Sequence, residues 1–485
     1  MILGQLLQGL DIIDIRGNLD KEISSIEYDS RKVKKGSLFI CIKGFQVDGH
    51  DFALKAVQNG ATALLVEDDI EFEDVTIIRV KNTRLSMPLV AAAFYDYPTE
   101  SLKLIGITGT KGKSTIAFLV RSILEANKSK VGLIGTICSC IGDRIISSVR
   151  TTPESIDLQC IFKEMLDEGI EYAVMEVSSH SLALNRVDGC DFKIGVFTNL
   201  SQDHLDFHKD FEDYRNAKKK LFYKTTEANI INADDYHGRI IIDEIKKLNT
   251  RLITFAIDSY ADITAKDVDF DAKGVRFTLV TPEYEIPIEN TIPGKFSVYN
   301  CLAAAAACYT IGIDKEVIRE GLGRIRNVPG RSEVVDIDKP YTVIIDYAHS
   351  PDSLENILKA VRQYTKARII TLFGCGGNRD KEKRPMMGET AGRLSDYCII
   401  TSDNPRSEEP MDIIRQIEVG MKKTACDYIC IENRKDAIKF ALTIAREGDT
   451  VLLAGKGHET YQELKDGKID FDEKEIVREL IAFEV

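Results

Sequence analysis

The stretch that decides the fold is LKLIGITGTKGKST, residues 102–115. Its first half, up to Ile107, is an apolar run that predicts a buried strand, and the apolar spacing from Ile116 to Leu124 predicts a helix. Between strand and helix lies a glycine-rich loop. Its backbone N–H groups, together with the positive end of the helix, would face an anion. This order of strand, loop and helix predicts a phosphate-binding loop.

The glycines of this loop depart from the common Walker spacing, because Ile107 stands where a glycine is usual. Lys113 would still reach the β- and γ-phosphates of a nucleotide, and the Ser114 hydroxyl would ligate Mg²⁺. The alternative is a glycine-rich turn that binds nothing, and the Gly-Lys-Ser-Thr string at a strand-to-helix junction argues against it. The predicted nucleotide ligands of the loop are Gly109, Thr110, Lys111, Gly112, Lys113, Ser114 and Thr115.

Bulk composition excludes several classes of protein. The 485 residues include 64 Lys plus Arg against 77 Asp plus Glu, a net charge of −13, so we expect neither nucleic acid nor a membrane surface as partner. The eleven cysteines form no Cys-x-x-Cys pair and predict reduced thiols. No apolar run approaches membrane-spanning length, and residues 1–20 do not resemble a secretory signal. We therefore expect a cytoplasmic protein, and we expect a monomer.

Three segments follow from changes of pattern along the chain, and together they predict an α/β fold. Residues 1–98 carry short strands and one clear helix, which predicts a small α/β N-terminal domain. Residues 99–332 begin with the phosphate-binding loop and alternate strands with helices, which predicts a central parallel-sheet ATPase domain. Residues 333–485 restart this alternation without such a loop and predict a Rossmann-like C-terminal domain that presents a co-substrate. Residues 98–101 are predicted to form a linker.

Two parts of the central segment depart from its simple alternation. From about Asp262 to Ile292 short alternating strands predict an antiparallel insertion, and an alanine-rich helix is predicted from Ser297 to Ile311. Elsewhere in the chain, polar clusters follow the predicted strands. The carboxyl ends of parallel strands meet at one edge of a sheet, where ligands collect. The sites are therefore expected at those edges.

Hard oxygen ligands at two of these strand ends suit Mg²⁺. Ser114 and Glu176 fit a first ion between the β- and γ-phosphates, and His204 is a candidate nitrogen ligand for a second. The alternative for His204, a helix-capping or core histidine, is equally compatible with the sequence. Lys218 lies in a predicted helix with three successive lysines, which usually form a solvated face. Only as a carbamate, formed with CO₂, would it be an anionic oxygen ligand, and its spacing does not reveal this.

Ser30 lies beside Arg31 at the end of a predicted strand, residues 25–28. A hydroxyl and a guanidinium there would suit a polar, phosphate-bearing ligand. A simple turn, in which Ser30 bonds its own backbone, is the reading that the residues by themselves favour.

The motifs of the chain resemble those of the Mur ligases. The resemblance covers all three segments in the family's order. Asp29-Ser30-Arg31, Asp48-Gly49-His50 and Thr151-Thr152-Pro153 are further similar to substrate-binding segments of the members that add the third residue of the peptide. The motifs shared with the family at large are Gly106 to Thr115, Glu176 to His180, Asp203-His204-Leu205-Asp206, Tyr214 to Lys218, Pro329-Gly330-Arg331 and Asp346 to His349.

This resemblance implies an ATP-dependent amide ligase of peptidoglycan synthesis with ATP as co-substrate and Mg²⁺ as cofactor. It would add an amino acid to UDP-N-acetylmuramoyl-L-alanyl-D-glutamate. In the family's route, ATP phosphorylates the glutamate side-chain carboxylate, and an amine then displaces phosphate. Charge stabilisation at the transferring phosphoryl group is the main catalytic demand of such a step.

The resemblance also assigns roles to individual residues. Ser30 would contact the uridine end of the substrate. Lys113, Glu176, His204 and carbamylated Lys218 would be catalytic, the last three as metal ligands with Ser114. Asn300 and Arg331 would contact ATP. Ser297 stands where relatives often have Asn near the adenine, and Leu184 stands where some relatives have a substrate-binding Gln. The pyrophosphate and muramoyl-peptide portion would be held by Thr151, Thr152, Ser178 and Arg186.

The tetrapeptide Asp403-Asn404-Pro405-Arg406 indicates which amino acid is added, since relatives that carry it resemble the meso-diaminopimelate adders. A guanidinium binds a carboxylate bidentately, and diaminopimelate has a distal carboxylate that lysine lacks. Glu459 would accept from the distal ammonium group. The alternative is that the tetrapeptide is only a turn before a helix. The predicted diaminopimelate ligands are Arg379, Asp403, Asn404, Pro405, Arg406, Gly455 and Glu459.

Three other functions stay open at this point. The nearest is an L-lysine-adding ligase of the same family. A P-loop NTPase switch or transporter module would hydrolyse ATP without any amino-acid acceptor. A folylpolyglutamate synthetase-like ligase is disfavoured by the N-terminal segment around Ser30, which such enzymes generally lack.

Overall fold

The computed structural model of the chain describes residues 1–44, 47–146, 150–204 and 207–482. It divides into two compact units, Met1–Thr254 and Phe255–Val485, and each is described by itself. The predicted segment boundaries after residues 98 and 332 stay predictions. Leu205 and Asp206 of the predicted metal motif lie outside the described residues.

The first sheet of the N-terminal unit has five strands in the order β1-β5-β4-β3-β2. β1 is antiparallel to β5, and the other pairs are parallel. Asn82 caps α3 by accepting a hydrogen bond from the Leu85 backbone N–H at 3.0 Å. The elements are β1 Ile12–Arg16, β2 Ser25–Glu27, β3 Ser37–Ile40, β4 Ala61–Val66, β5 Thr76–Val80, α1 Leu3–Leu6, α2 Ala53–Gln58 and α3 Thr83–Phe94, with a 3₁₀ turn at Gly49–Phe52.

The predicted linker at residues 98–101 is instead a one-turn helix, α4 Pro98–Ser101. Pro98 occupies its first turn, where the missing N–H costs nothing. Pro98 and Thr99 are buried, as is the Leu102 side chain that follows. The polar composition was misleading because Pro98 and Thr99 are covered by neighbouring elements.

The second sheet of this unit carries the phosphate-binding loop on its central strand, β6, between β10 and β11. Strands β12, β11, β6, β10 and β7 run parallel, and β8 and β9 continue as antiparallel hairpins. The predicted parallel sheet is confirmed. Its elements are β6 Lys103–Thr108, β7 Val131–Ile134, β8 Ser139–Ile141, β9 Arg144–Ile146, β10 Tyr172–Glu176, β11 Phe192–Phe197, β12 Thr225–Asn232, α5 Lys113–Ala126, α6 Ser155–Asp167, α7 Ser179–Ala183, α8 Phe211–Lys219 and α9 Tyr236–Ile245.

The second unit opens with the predicted antiparallel insertion and the alanine-rich helix. β13 Arg251–Ala256 contains the last residue of the first unit and the first of the second. Ala303 to Ala307 of α10 are at most 1% exposed, because side chains of this size let the helix lie close against β14 and β15. The elements are β14 Ile263–Asp271, β15 Gly274–Val280, β16 Glu285–Asn290, α10 Lys295–Thr310 and α11 Lys315–Arg324.

The remaining sheet of the second unit has six strands in the order β17-β18-β22-β19-β20-β21, and only β17 is antiparallel. Separate apolar cores cover its two faces, which confirms the Rossmann-like prediction. The elements are β17 Glu333–Val335, β18 Thr342–Asp346, β19 Ile369–Phe373, β20 Tyr397–Ile400, β21 Asp427–Cys430, β22 Thr450–Ala454, α12 Pro351–Arg362, α13 Lys383–Leu394, α14 Pro410–Met421, α15 Arg434–Ile444, a β23 Tyr461–Leu464 and β24 Gly467–Asp470 hairpin, and α16 Glu473–Ala482.

All eleven cysteines are free thiols, as the sequence predicts. Within the described ranges, no helix has the length and apolarity that a membrane crossing requires.

Candidate functional site

The phosphate-binding loop connects the end of β6 to the start of α5. Gly109 has a φ of 148°, and a Cβ there would overlap the Thr198 hydroxyl. Gly112 has a φ of 87° and precedes the first helical residue, Lys113. These backbone conformations strongly favour glycine, so both glycines are required by the shape of the loop. The first turn of α5 contains no acidic residue, which leaves its N–H groups available to an anion.

Two lysines meet at one backbone carbonyl of this loop. Lys113 Nζ donates to the oxygens of Gly109 and Thr110, both at 2.9 Å. Lys218 Nζ donates to the same Gly109 oxygen at 2.8 Å and lies 4.4 Å from the centre of the Tyr214 ring. Burial, and next the charge of Lys113, hold the pKa of Lys218 well below its ordinary value.

The solvated-face interpretation of Lys218 is therefore wrong. Tyr214, Ala217 and Lys218 form the buried face of α8, and Lys218 is only 1% exposed. Lys219 lies on the surface side of α8, where it pairs with Glu244. Successive residues of a helix point in different directions, so the three lysines cannot all face solvent. Lys218 is the one that faces the interior.

The loop is held from the side by the end of β11, a role that was not predicted. Thr198 Oγ1 donates to the Lys111 carbonyl at 2.6 Å. The Asn199 side-chain oxygen accepts from the Lys111 N–H at 3.0 Å, and its amide donates to the Lys111 carbonyl at 3.1 Å. These bonds fix the loop without any ligand. The signal was the polar cluster after this strand, which the sequence analysis did not connect to the loop.

Glu176 lies at the end of β10, 2% exposed, and Thr136 holds its carboxylate. The Thr136 N–H donates to Oε1 at 2.8 Å and its hydroxyl donates to Oε2 at 3.1 Å. A Cβ on Gly135 would overlap the same carboxylate. Thr136, two residues after β7, was missed by the sequence analysis. The carboxylate is thus oriented while each oxygen keeps a lone pair for a metal.

His204 is exposed and has a φ of 55°. Its ring lies 4.8 Å from that of His180 and 6.1 Å from that of Tyr214, the residue that also packs on Lys218. The Asp203 carboxylate accepts from the His204 backbone N–H at 2.9 Å. The core-histidine alternative is wrong, because the buried histidine of this segment is His208.

Four of the five residues predicted to bind the UDP-muramoyl dipeptide lie in one cluster beside Glu176. Thr152 Oγ1 donates to the Glu176 carbonyl at 2.8 Å and accepts from the Ser178 N–H at 3.1 Å. Arg186 Nη1 donates to the Thr152 carbonyl at 3.3 Å. Thr151 joins the cluster through the Thr136 hydroxyl, 2.9 Å away.

The charge in this cluster is balanced by Glu154, which the sequence analysis did not single out. Its carboxylate lies 3.0 Å from Arg186 Nε and also pairs with Arg150. Burial lowers the pKa of Arg186. A half-buried guanidinium beside hydroxyl groups can receive an anionic ligand.

Ser30, the fifth predicted residue, lies buried in the turn after β2. It is Asp29 that shapes this turn, since its carboxylate accepts from the Arg31 backbone N–H at 3.0 Å and from Arg31 Nη2 at 2.7 Å. Tyr28 donates to Asp157 of α6 at 2.6 Å. Because α6 begins directly after Glu154, this bond ties the Ser30 turn to the helix whose N-cap pairs with Arg186.

In the second unit, Asn404 and Glu459 share a fully buried lysine. Lys456 Nζ donates to Asn404 Oδ1 at 3.1 Å and to Glu459 Oε2 at 3.2 Å. The Asn404 amide donates to Glu459 Oε2 at 2.8 Å. The ends of β20 and β22 are thereby joined, as expected for parallel strands of one sheet.

Arg406 has a left-handed backbone, with a φ of 52°, and its guanidinium is held at two points. Nε donates to Glu463 Oε2 at 2.9 Å, and Nη1 donates to the Gly377 carbonyl at 2.8 Å. Glu463 of β23 therefore pairs with this guanidinium in the absence of any ligand.

The other predicted diaminopimelate residues lie in the Asp403–Arg406 segment or on the loops after β19 and β22. Asp403 is buried. Gly455 has a φ of 117°, and a Cβ there would lie 2.7 Å from Oδ2 of Asp403. The Pro405 carbonyl packs against Gly377. Arg379 is exposed, and among the described residues its side chain makes no hydrogen bond or ion pair. Arg379 is therefore placed to receive a ligand group from solvent.

A buried arginine beside this segment forms an ion pair that was not predicted. Arg384 is 0% exposed, and its Nη1 and Nη2 donate to the two oxygens of Glu408, each at 2.9 Å. The Asn378 N–H donates to the same carboxylate at 2.6 Å. The hydrogen bond with Arg384 lowers the pKa of Glu408 to about 2. This pair joins the loop after β19 to the turn that carries Arg406.

The predicted ATP contacts of the second unit lie on separate elements. Asn300 is buried within α10. The Arg331 guanidinium lies 5.1 Å from the centre of the Tyr347 ring, and its Nε is buried without a hydrogen-bond partner among the described residues. A buried donor of this kind is available to a ligand.

Comparison with known proteins finds matches over most of the chain. Family models match residues 22–95 (Mur ligase family, catalytic domain), 107–308 (Mur ligase middle domain) and 330–457 (Mur ligase, glutamate ligase domain). A protein of Clostridioides difficile (strain 630) is 52% identical over 482 residues, which are 99% of this chain and 100% of the relative. One from Alkaliphilus metalliredigens (strain QYMF) is 50% identical over 99% of this chain and 97% of the relative. Both are named UDP-N-acetylmuramoyl-L-alanyl-D-glutamate--2,6-diaminopimelate ligase.

Solved structures agree in fold. A UDP-N-acetylmuramoyl-L-alanyl-D-glutamate--2,6-diaminopimelate ligase structure has a TM-score of 0.72 and 30% identity, covering 100% of this chain and 99% of that one. The MurF ligase of Thermotoga maritima in complex with ADP has a TM-score of 0.62 at 18% identity, covering 96% of this chain and 98% of that one, and it supports the fold alone.

Proposed function

The chain belongs to the Mur ligase family, and from this membership we propose that it joins meso-2,6-diaminopimelate to the D-glutamate of UDP-N-acetylmuramoyl-L-alanyl-D-glutamate with hydrolysis of ATP to ADP. The observation that carries the proposal is identity of 52% and 50%, each over 99% of this chain, to two relatives named for that reaction. The residues of the two units supply the chemistry that the reaction requires.

The first step needs the triphosphate and the glutamate carboxylate to approach each other despite their like charges. The N–H groups of the loop and of α5 would bind the β- and γ-phosphates. Lys113 would exchange its two backbone carbonyls for phosphate oxygens. The substrate carboxylate oxygen then attacks the γ-phosphorus, ADP leaves, and an acyl phosphate forms.

Mg²⁺ fits the donors at this end of the sheet. The Ser114 hydroxyl and the Glu176 carboxylate are hard oxygen ligands, and Thr136 orients the latter. His204 is proposed as a ligand of a second ion. Bound Mg²⁺ would neutralise charge on the phosphates during transfer.

Lys218 suits carbamylation. CO₂ reacts only with a neutral amine, and burial lowers the pKa of Lys218 and so favours that neutral form. The carbamate would place an anion beside Lys113, and we propose that this anion completes the metal site.

The nucleotide portion of the substrate would be bound by the cluster that includes Thr151, Thr152, Ser178 and Arg186. Arg186 provides the positive charge for an anionic group and is held in place by Glu154. We propose that Ser30 contacts the uridine end, since its turn is tied through Tyr28 to α6.

The second step needs an amine held by its far end. Arg406 has donors left on Nη1 and Nη2 for the distal carboxylate of diaminopimelate, and Arg379 would bind the other carboxylate. Glu459 and Asn404 would bind the distal ammonium group. The amine nitrogen attacks the acyl carbon and loses a proton, and the tetrahedral intermediate expels phosphate.

Membership of the family also supports proposals on the domains and on further ATP-binding residues. We propose domains at residues 1–98, 99–332 and 333–485, with Asn300 and Arg331 contributing to ATP binding. We also propose a cytoplasmic monomer that binds neither nucleic acid nor membranes.

An end-point assay tests the proposal. Purified protein receives ATP, Mg²⁺ and the UDP-muramoyl dipeptide with meso-diaminopimelate, L-lysine or no amino acid, and products are identified by mass. We expect the diaminopimelate product and an equal amount of ADP. Formation of the lysine product instead would support the lysine-adding alternative. ADP release without any amino acid or dipeptide would support an NTPase switch.

A further inference from the structure

Cys138 and Cys140 form a close pair of thiols that the proposed reaction does not use. Their sulfur atoms lie 3.3 Å apart. Both belong to the β7–β8 hairpin, where Cys140 is buried within β8 and Cys138, just before it, is half-buried. Side chains two residues apart on an extended strand point to the same face, so the backbone holds the pair together.

The hairpin that carries the pair also orients Glu176. Its turn is closed by the Gly135 N–H, which donates to the Cys138 carbonyl at 3.1 Å. Thr136, the next residue in that turn, donates to both carboxylate oxygens of Glu176. A change at Cys138 therefore reaches Glu176 through only two hydrogen-bonded steps.

The pair is arranged to lose one proton readily. The hydrogen bond with Cys138 lowers the pKa of Cys140 to about 6, and nearby Arg121 favours the same thiolate. The Cys138 pKa is raised by the same hydrogen bond, so the two sulfurs share one proton. A thiolate beside a thiol is the reactive form in disulfide chemistry.

The pair does not resemble a metal site. Among the described residues, the one group of three or more His, Cys, Asp or Glu side chains close enough to hold an ion is Asp48, His50 and Asp68. Soft metal ions bound by cysteine usually take four ligands. Two adjacent sulfurs suit a bond between them better than a bound ion.

We propose that Cys138 and Cys140 are a reversible oxidation site, at which hydrogen peroxide converts the two thiols to a disulfide. A thiolate of the pair attacks one peroxide oxygen, and the O–O bond breaks to give a sulfenic acid and hydroxide. The second thiol attacks that sulfur, forms the S–S bond, and expels the sulfenic oxygen as water. In total, two thiols and one peroxide give one disulfide and two waters, and an external dithiol reverses the change.

The bond would disturb the turn. The sulfurs must approach from 3.3 Å to about 2.0 Å, and the bond closes a small ring around Ser139. Strained disulfides of this kind are the ones that reductants open easily. The Cys138 carbonyl anchors the turn. Oxidation would therefore break the hydrogen bonds from Thr136 to the Glu176 carboxylate. This consequence, unlike the bond itself, rests on the proposed function.

Full-length protein is treated with hydrogen peroxide, alkylated and digested. The mass of the peptide containing residues 138–140 is then measured by mass spectrometry. We expect a mass lower by two hydrogens, and a fall in ligase activity of about tenfold or more that a dithiol reverses. Cys138→Ser and Cys140→Ser should be active and resistant to peroxide. Cys398→Ser is the matched control, since Cys398 and Cys426 are another close pair at 3.9 Å, and it should stay sensitive.

An unmodified 138–140 peptide in treated wild-type protein would overturn the proposal, as would equal inactivation of Cys138→Ser and wild type. If either serine variant fails to fold, reversal by a dithiol of both the mass change and the activity loss in wild type decides the matter. The mass readout needs no ligase activity, so failure of the proposed function would be recognised separately.

Discussion

Lys113 and Lys218 donate to the same acceptor, the carbonyl oxygen of Gly109, at 2.9 and 2.8 Å. Two ammonium groups at one oxygen repel each other, and the repulsion is strongest where water is excluded. Burial, and next the charge of Lys113, lower the pKa of Lys218. The structure therefore favours the neutral amine of Lys218, the form that the proposed reaction with CO₂ requires.

Lys218→Arg should reduce ligase activity about 100-fold or more, because arginine fills the site but cannot form the carbamate ligand. Lys219→Arg, at the next position of α8, is the control and should stay active. Activity is measured with and without added bicarbonate, and labelled carbamate is sought by NMR. Full activity of Lys218→Arg would contradict the assignment.

Lys113→Met should reduce ADP formation by about 10²- to 10³-fold, since a charge aimed at the transferring phosphoryl group is lost. The thermal unfolding temperature should change little, because the bonds from Thr198 and Asn199 still hold the loop. Lys163→Met, on the exposed part of α6, is the control. Unchanged turnover in Lys113→Met would exclude Lys113 from phosphate transfer.

Arg406→Ala should raise the KM for diaminopimelate about 10- to 100-fold, because a bidentate charged contact is removed. The KM for ATP should barely change. Arg415→Ala, on α14, removes another exposed guanidinium and serves as control. The assignment of Arg406 fails if steady-state kinetics for both substrates match wild type.

Glu463→Ala should raise the KM for diaminopimelate about five- to tenfold without a matching loss of kcat, because Arg406 loses the partner that orients its guanidinium. Glu463→Gln keeps an oxygen acceptor and should recover most of the wild-type KM. If Glu463 mainly repelled the substrate carboxylate, both variants would instead lower the KM. Glu479→Ala, on α16, is the control.

Acid should weaken the folded state partly through Glu408. Its pKa in the folded protein is about 2, whereas an unperturbed glutamate in the unfolded chain has a pKa of about 4.3. The stabilisation is therefore present above about pH 4.3 and is lost as the pH falls towards 2. We expect Glu408→Gln to have a lower Tm at neutral pH and a smaller further decrease between about pH 5 and 3. If the Tm of wild type and of Glu408→Gln fell by the same amount over this pH range, the assignment would be contradicted.

The features that the sequence revealed are local. Gly109, Gly112 and Lys113 form a recognisable string because each is required by the backbone or the anion within a few residues. Likewise, the alternation of strands and helices predicted the sheets, and polar strand ends predicted the edges at which the sites lie.

The features that the sequence analysis missed join distant parts of the chain. Thr136 and Glu176 are neighbours because β7 and β10 pair in parallel, with Ile134 opposite Met175. Glu463 reaches Arg406 from a hairpin 57 residues away. No local pattern contains such pairings. Lys218 was misjudged for a related reason, since only the docking of α8 determines which of three lysines is covered.

The left-handed backbone of Arg406 has a consequence for how this protein would respond to selection. Glycine adopts that conformation more readily than arginine does. Arg406→Gly would relieve the local strain while it removes the guanidinium. This relief would offset part of the stability lost with the bonds to Glu463 and Gly377. A library screened only for resistance to heat would therefore select weakly for the guanidinium that is proposed to bind the amino acid.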